Sequence, residues 1–400
     1  MLITNLSGLW GMSLQRWMKT QQKHNKKLVK LLLKNSTTLP SAVPGVSTRR
    51  KVLPLLATSM LTGRQSATAS QPAGQWLKFN HPLTVLESGR SGGGMDYWLY
   101  LPQRADMARL PLVVMLHGCA QTAPQFAQST GMNRLADKEG FAVLYPQQIA
   151  RNHAGRCWRW YNPEVREGEA ETAAIASIIN QVAERYALDR SRIYIAGISA
   201  GAAMANIVAL THPQLIAAVG MHSGVAFGAA QTPMEGYALM QQGAEQDMHQ
   251  AVRAAASKMG QLPLMPAVLI HGREDSIVHP VNLAHLAEQF RELHHLAGYA
   301  RENMTLKITE KQATRRSGRS YKNCEYYFGR KRLLQVCEIS ELGHAWSGGD
   351  ASVNFSDGCG PNASRMMWEF FRRHHRAAEA LTSHPAPDVS EVERIQAGLV

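Results

Sequence analysis

The stretch Arg192-Ile-Tyr-Ile-Ala-Gly-Ile-Ser-Ala-Gly-Ala-Ala-Met-Ala205 decides how this chain folds. A short apolar run, Ile193 to Ala196, reads as a strand. It enters Gly197-Ile-Ser199-Ala-Gly201, and a small-residue run from Ala200 to about Leu210 reads as a helix. A G-x-S-x-G sequence in that strand-to-helix context predicts a sharp turn that pushes the Ser199 hydroxyl clear of the backbone. Glycine on either side leaves room for the turn, and the N–H of Ala200 then points to where an oxyanion would form. Ser199 is therefore the candidate nucleophile.

Outward from this turn, strand-like and helix-like runs alternate. Tyr97–Leu101 and Leu112–Leu116 read as strands, Gln125–Glu139 as a helix, Ala142–Tyr145 as a strand and Glu169–Tyr186 as a helix. Ile216–Met221 and Val268–Ile270 are strands, Val281–Leu296 a helix, Val336–Ile339 a strand and Asn362–His374 a closing helix. Repeated β-then-α order predicts an α/β protein with a mostly parallel central sheet and helices on both faces. Residues 223–262, rich in Gly, Ala, Met and Gln, are expected to form a helical excursion beside the site.

A nucleophilic serine needs a base, and the base needs an orienting carboxylate. With this kind of elbow the three follow in the order Ser, acid, His. The strand Val268-Leu-Ile-His-Gly ends in the turn Gly272-Arg-Glu-Asp275-Ser-Ile-Val-His279-Pro280, which places Asp275, or Glu274 as the less favoured choice, at a strand end. Ile339-Ser-Glu-Leu-Gly-His344-Ala-Trp-Ser-Gly-Gly puts His344 in a glycine-flanked loop after the last strand, with His279 as the runner-up. An oxyanion hole needs two preorganised N–H donors. Ala200 supplies one. The loop His117-Gly-Cys119-Ala120-Gln121 supplies the other, assigned to Cys119 with Ala120 close behind, and His117 reads as structural. Cys119 and Cys157 lie in neighbouring strand-end loops and could bridge; so could Cys324 and Cys337, which flank a hairpin. Trp158, Trp160 and Trp346 are candidate walls of an apolar acyl pocket.

Charge separates the chain into parts. The net charge is +13 over 400 residues, yet residues 1–73 hold eleven Lys/Arg and no Asp or Glu. The remaining 32 basic and 30 acidic residues nearly cancel, so the body does not read as a nucleic-acid binder. The expected organisation is a basic extension over 1–73, a catalytic domain over 74–378 and a tail over 379–400. Residues 12–34 read as a basic amphipathic helix suited to a membrane surface. Arg49-Arg50, a short apolar stretch and Ala67-Thr68-Ala69 resemble a twin-arginine export signal. Secreted or periplasmic residence is expected, with a cytoplasmic extension as the alternative. No apolar run approaches the ~18 residues of a membrane-spanning helix. The cluster Arg315, Arg316, Arg319, Arg330, Lys331 and Arg332 reads as a solvated hairpin.

Five ordered motifs, His117-Gly-Cys-Ala-Gln, Cys157-Trp-Arg-Trp-Tyr, Arg166-Glu-Gly-Glu169, Ala196-Gly-Ile-Ser-Ala-Gly-Ala-Ala-Met-Ala and Gly343-His-Ala-Trp-Ser-Gly-Gly, together resemble the poly(3-hydroxyalkanoate) depolymerase-like esterases. These are α/β-hydrolases related to feruloyl and acetylxylan esterases, and the resemblance covers roughly residues 76–375. It implies the α/β-hydrolase fold, a Ser199–Asp275–His344 triad, Cys119 in the oxyanion loop, and ester hydrolysis without metal or organic cofactor. The implied substrates are short-chain hydroxyalkanoate esters, or else feruloyl or acetylxylan esters. Members that attack solid polymer add a C-terminal binding domain, so soluble oligoesters or small acyl esters are expected here.

Overall fold

A computed structural model describes residues 72–82, 94–103, 109–148, 155–244, 248–259, 264–313 and 318–376. The chain divides into Met1–Gln71 and Pro72–Val400, and every described residue belongs to the second unit. The amphipathic helix and export signal expected near the N-terminus, and the tail over 379–400, lie outside the described residues.

Ten strands form one sheet: β1 (Gln75–Pro82), β2 (Gly94–Leu101), β3 (Leu112–Leu116), β4 (Ala142–Pro146), β5 (Ile193–Ile198), β6 (Ala218–His222), β7 (Ala267–Gly272), β8 (Met304–Lys311), β9 (Tyr321–Phe328) and β10 (Lys331–Ile339). Their order is β1-β2-β4-β3-β5-β6-β7-β10-β9-β8. The six central strands, β4 to β10 in that order, run parallel, and an antiparallel pair closes each edge. β3 to β7 are buried along their whole length. This is why they read as unbroken apolar runs: a parallel strand covered on both faces has no solvent side to mark with polar residues.

Nine helices follow among the described residues: α1 (Ala123–Thr130), α2 (Met132–Glu139), α3 (Pro163–Arg166), α4 (Glu171–Arg185), α5 (Ala200–Thr211), α6 (Pro233–Gln242), α7 (Met248–Met259), α8 (Val281–Leu296) and α9 (Ala363–Phe371). They make two cores, one on each sheet face. Ile175, Ile179, Val208, Leu286 and Phe290 pack with Val114 and Ile195 on one side, and Phe126, Met132, Met367 and Phe371 pack with Val113 and Tyr194 on the other. Neighbouring residues of β3 thus serve opposite cores, as the two-residue strand period requires.

The structure departs from the sequence reading in three places. The helix expected over 125–139 is two helices, because Gly131 takes a left-handed φ of 61° that closes α1 and opens α2. β1 and β8 escape the reading. Both are edge strands whose residues are mostly exposed, so neither shows a buried apolar run. Cys324 and Cys337 are both free. β9–β10 register sets Cys324 opposite Val336, so Cys337 points to the other sheet face and no bridge can form.

Gly201 marks the tightest joint. A Cβ there would lie 2.1 Å from the Leu116 carbonyl oxygen and 2.5 Å from that of His117. The start of α5 therefore presses directly onto the end of β3. Gly201→Ala should cost about 1–3 kcal/mol, since backbone must shift to admit the methyl. Urea denaturation checks this, and a variant as stable as the parent would contradict the close contact.

Candidate active site

Ser199 sits between β5 and α5 with φ 57° and ψ −126°. That left-handed conformation is costly for a residue with a side chain and persists only where the surroundings enforce it. Its N–H donates to the His222 carbonyl at 2.9 Å, and its own carbonyl accepts from Ala203 N–H at 3.0 Å. Gly197 completes the enclosure, since a Cβ there would meet the Gly201 backbone at 2.4 Å.

The acid and base expected from the sequence are in contact. His344 Nδ1 lies 2.8 Å from Asp275 Oδ2, and the carboxylate is fully buried. Because a carboxylate can only accept, the histidine donates from Nδ1, which leaves Nε2 bare in the neutral ring. Asp275 Oδ1 accepts from the N–H groups of Ile277 at 3.0 Å and Val278 at 2.8 Å. Burial alone would raise the Asp275 pKa, but hydrogen bonds from His271 and His344 outweigh it and hold the acid well below the usual carboxylate range. Glu274, the alternative acid, is exposed. His279, the alternative base, is exposed too, and its Nδ1 accepts from Val281 N–H at the start of α8.

Backbone contacts bring the acid turn and the base loop together. Arg273 N–H donates to Ile339 O at 2.8 Å and Glu274 N–H to Leu342 O at 3.0 Å. Gly272 permits this, because a Cβ there would stand 2.1 Å from Leu342 O. Three candidate residues thus emerge beyond the carboxyl ends of β5, β7 and β10, on the edge where parallel α/β sheets carry their sites.

The loop after β3 is held from several sides. A disulfide joins Cys119 to Cys157. Ala120 N–H donates to Gly155 O at 2.6 Å, and Gly118 N–H to Gln121 Oε1 at 2.8 Å. The N–H groups of Cys119 and Ala200 have no acceptor among the described residues, whereas that of Ala120 is occupied. Cys119 is therefore the available loop donor. His117 is fully buried; its Nδ1–H donates to Gly118 O at 2.8 Å and its Nε2 accepts from Gln148 N–H at 3.1 Å. Both nitrogens are used, so His117 braces the loop.

The tryptophans require a correction. Trp158 and Trp346 are fully buried and offer no surface to a substrate. Trp158 Nε1–H donates to His117 O at 3.0 Å, and Trp346 Nε1–H to Ser364 Oγ at 3.1 Å. Trp160 is nearly as buried and packs on Tyr161 and against Gly236 of α6. All three stiffen the loops around the site, and the buried rings of Trp158 and Trp346 give their N–H groups the partners that burial demands.

Two histidines escape the sequence reading. His271, at the end of β7, donates from Nε2 to Val278 O at 2.9 Å and lies 3.5 Å from Asp275 Oδ2. His222 ends β6 and stacks on Trp346 at 5.4 Å. The available signal was position: each is a polar residue closing a buried parallel strand, where such sheets place functional groups.

Two expectations follow. Cys157→Ser should lower the free energy of unfolding by about 2–4 kcal/mol, measured by urea titration; no change would mean the bridge does not constrain the fold. Burial lowers the pKa of His117, and of His294 buried in α8, to about 4 and that of His222 to about 3. The unfolded chain protonates these rings below about pH 6.5 while the fold keeps them neutral. Stability must then fall as pH drops through that window, by about 2 kcal/mol per ring at pH 5 relative to pH 7. Thermal melts across pH 5–7 read this out, and a flat profile would show that the rings are not buried neutral.

Residues 95–309 match the family described as esterase PHB depolymerase, which is more than half of the chain. Poly(3-hydroxyalkanoate) depolymerase C of Paucimonas lemoignei is 30% identical over 213 residues, 52% of this chain and 51% of that protein. Feruloyl esterase B of Thermothelomyces thermophilus is 32% identical over 207 residues, 49% of this chain and 69% of that one. The match thus spans about half the length of the depolymerase. The solved acetyl xylan esterase from Aspergillus awamori superposes with a TM-score of 0.55 at 22% identity, covering 70% of this chain and 94% of that one, a likeness of fold. The architecture is the α/β-hydrolase fold, and the chain belongs to the esterase PHB depolymerase family.

Proposed function

We propose that this protein is a carboxylic ester hydrolase that works through a Ser199 acyl-enzyme, with short-chain hydroxyalkanoate oligoesters as its substrates. The observation that carries the reading is the buried Asp275–His344 pair at 2.8 Å, on the same sheet edge as a serine in a left-handed turn. The base Nε2 of His344 takes the Ser199 proton as the hydroxyl attacks the ester carbonyl. Asp275 stays ionised and stabilises the imidazolium that forms. The N–H groups of Cys119 and Ala200 receive the oxyanion. His344 then protonates the departing alcohol, and water releases the acid by the same route.

The hydroxyalkanoate assignment draws on the family and on the depolymerase relative. The feruloyl and acetylxylan esterase relatives favour a second reading, a carbohydrate esterase with the same machinery. In either reading the catalytic domain is residues 74–378, and the basic segment before it is a targeting or membrane-surface extension. The Cys119–Cys157 bridge supports an oxidising compartment, hence export. Among the described residues no helix is long and apolar enough to cross a membrane.

Release of p-nitrophenol from acetate, butyrate and octanoate esters by the wild type and by Ser199→Ala tests the chemistry. The substitution should reduce kcat by about 10⁴-fold or more with the fold intact. A variant that keeps most of its activity would overturn the acyl-enzyme. Comparing kcat/KM for 3-hydroxybutyrate oligomers, methyl ferulate and acetylated xylan assigns the substrate, and a preference for either of the last two would replace the first reading with the second.

A further inference from the structure

His222 belongs to neither the acid turn nor the base loop, yet it touches both the nucleophile and the segment that carries the base. It closes β6, a strand that contributes none of the three candidate catalytic side chains. Its carbonyl receives the Ser199 N–H at 2.9 Å. Its ring lies face to face with Trp346, with 28° between planes, and its Nε2 accepts the Ser347 N–H at 3.3 Å. Ser347 is three residues beyond His344. We propose that His222 is a positioning residue that fixes the distance between Ser199 and the His344 loop. It does so by holding Ser199 through its backbone and Ser347 through its ring.

The hydrogen bonds determine which tautomer does this. Ser347 N–H is a donor, so Nε2 must be unprotonated, and a neutral ring then carries its hydrogen on Nδ1. That nitrogen lies 3.2 Å from Ser223 Oγ, which can accept it. The relay Ser347 N–H to Nε2, Nδ1–H to Ser223 Oγ uses every polar atom of the ring. It works only while the ring is uncharged, since a proton on Nε2 would face the Ser347 N–H donor to donor. Burial is the first cause that keeps the ring neutral, and the neighbouring His271 and His344 act in the same direction against the opposing pull of Asp275. Direct contact with substrate is not required, because the imidazole is fully buried and acts through the Ser347 amide it holds, while the backbone carbonyl of the same residue holds the Ser199 amide.

Two variants separate the parts of this role. His222→Phe keeps an aromatic face for Trp346 and removes the acceptor. His222→Gln loses the face but places a carbonyl oxygen near the position of Nε2. With p-nitrophenyl butyrate, His222→Phe should lower kcat about tenfold with KM little changed, and His222→Gln should recover much of that loss. Amide hydrogen exchange at Ser347 should quicken in His222→Phe and stay slow in the wild type and in His222→Gln. Equal kcat losses in both variants, or a loss shared between kcat and KM with no change in Ser347 exchange, would reduce His222 to core packing and overturn the proposal. Nitrogen-15 NMR of the wild-type ring, assigned by its disappearance in His222→Gln, tests the proposal without any folded Phe variant. Nε2 must be unprotonated from pH 5 to 8, and a protonated Nε2 in that range would refute it. The kinetic arm rests on the ester-hydrolase reading. A wild type that hydrolyses no ester and is not labelled by a fluorophosphonate at Ser199 would sink that reading, while the exchange and NMR arms would still judge the His222 tie.

Discussion

The site depends on one steric constraint, the contact between the first turn of α5 and the end of β3. Gly201 has no Cβ, and the space a Cβ would fill holds the carbonyl oxygens of Leu116 and His117. Ser199 and the loop that begins at His117 are thereby forced against each other. A bulkier residue would open this joint and separate Ser199 from the Cys119 amide. Gly272 repeats the device at the other end of the site, where the acid turn meets Leu342 and Gly343. In both places a missing methyl lets two loops share backbone contacts that no side chain could bridge as rigidly.

Within this frame one buried charge is surrounded by donors. Asp275 receives His344 and two backbone N–H groups, with His271 beside it. A buried carboxylate left without such partners would be strongly destabilising or would take up a proton. The nearby rings follow the opposite logic. His117 and His222 are buried without a carboxylate in contact, and so burial keeps them neutral. His344 differs from these two rings in keeping partial access to solvent, with Nε2 unpartnered among the described residues.

Rigidity comes from the surrounding loops. The segment that follows His344 is tied to α1 and α9: Asp350 N–H donates to Ser129 O, Trp346 Nε1–H to Ser364 Oγ, and Ser364 Oγ–H to Thr130 O. Opposite it, the Cys119–Cys157 bridge and the Trp158–His117 bond fasten the loop after β3 to the chain after β4. Loops so heavily anchored can hold donors at fixed positions, which electrostatic stabilisation of an oxyanion requires.

The parallel core, the strand-to-helix turn at Ser199 and the strand-end positions of Asp275 and His344 were legible in the amino-acid sequence. Each is a local pattern: a continuous apolar run for a strand covered on both faces, glycines two residues either side of a serine, and a polar residue just after a strand. What the sequence left open, the tertiary structure decided. It paired His344 with Asp275 and left Glu274 and His279 at the surface, bridged Cys119 to Cys157 and kept Cys324 apart from Cys337, and buried Trp158 and Trp346 away from any substrate. It also revealed His222 and His271 at the site. The reason is the same in every case. Local spacing dictates where the backbone turns, whereas the partner of a side chain depends on strand order and register, which join residues far apart along the chain.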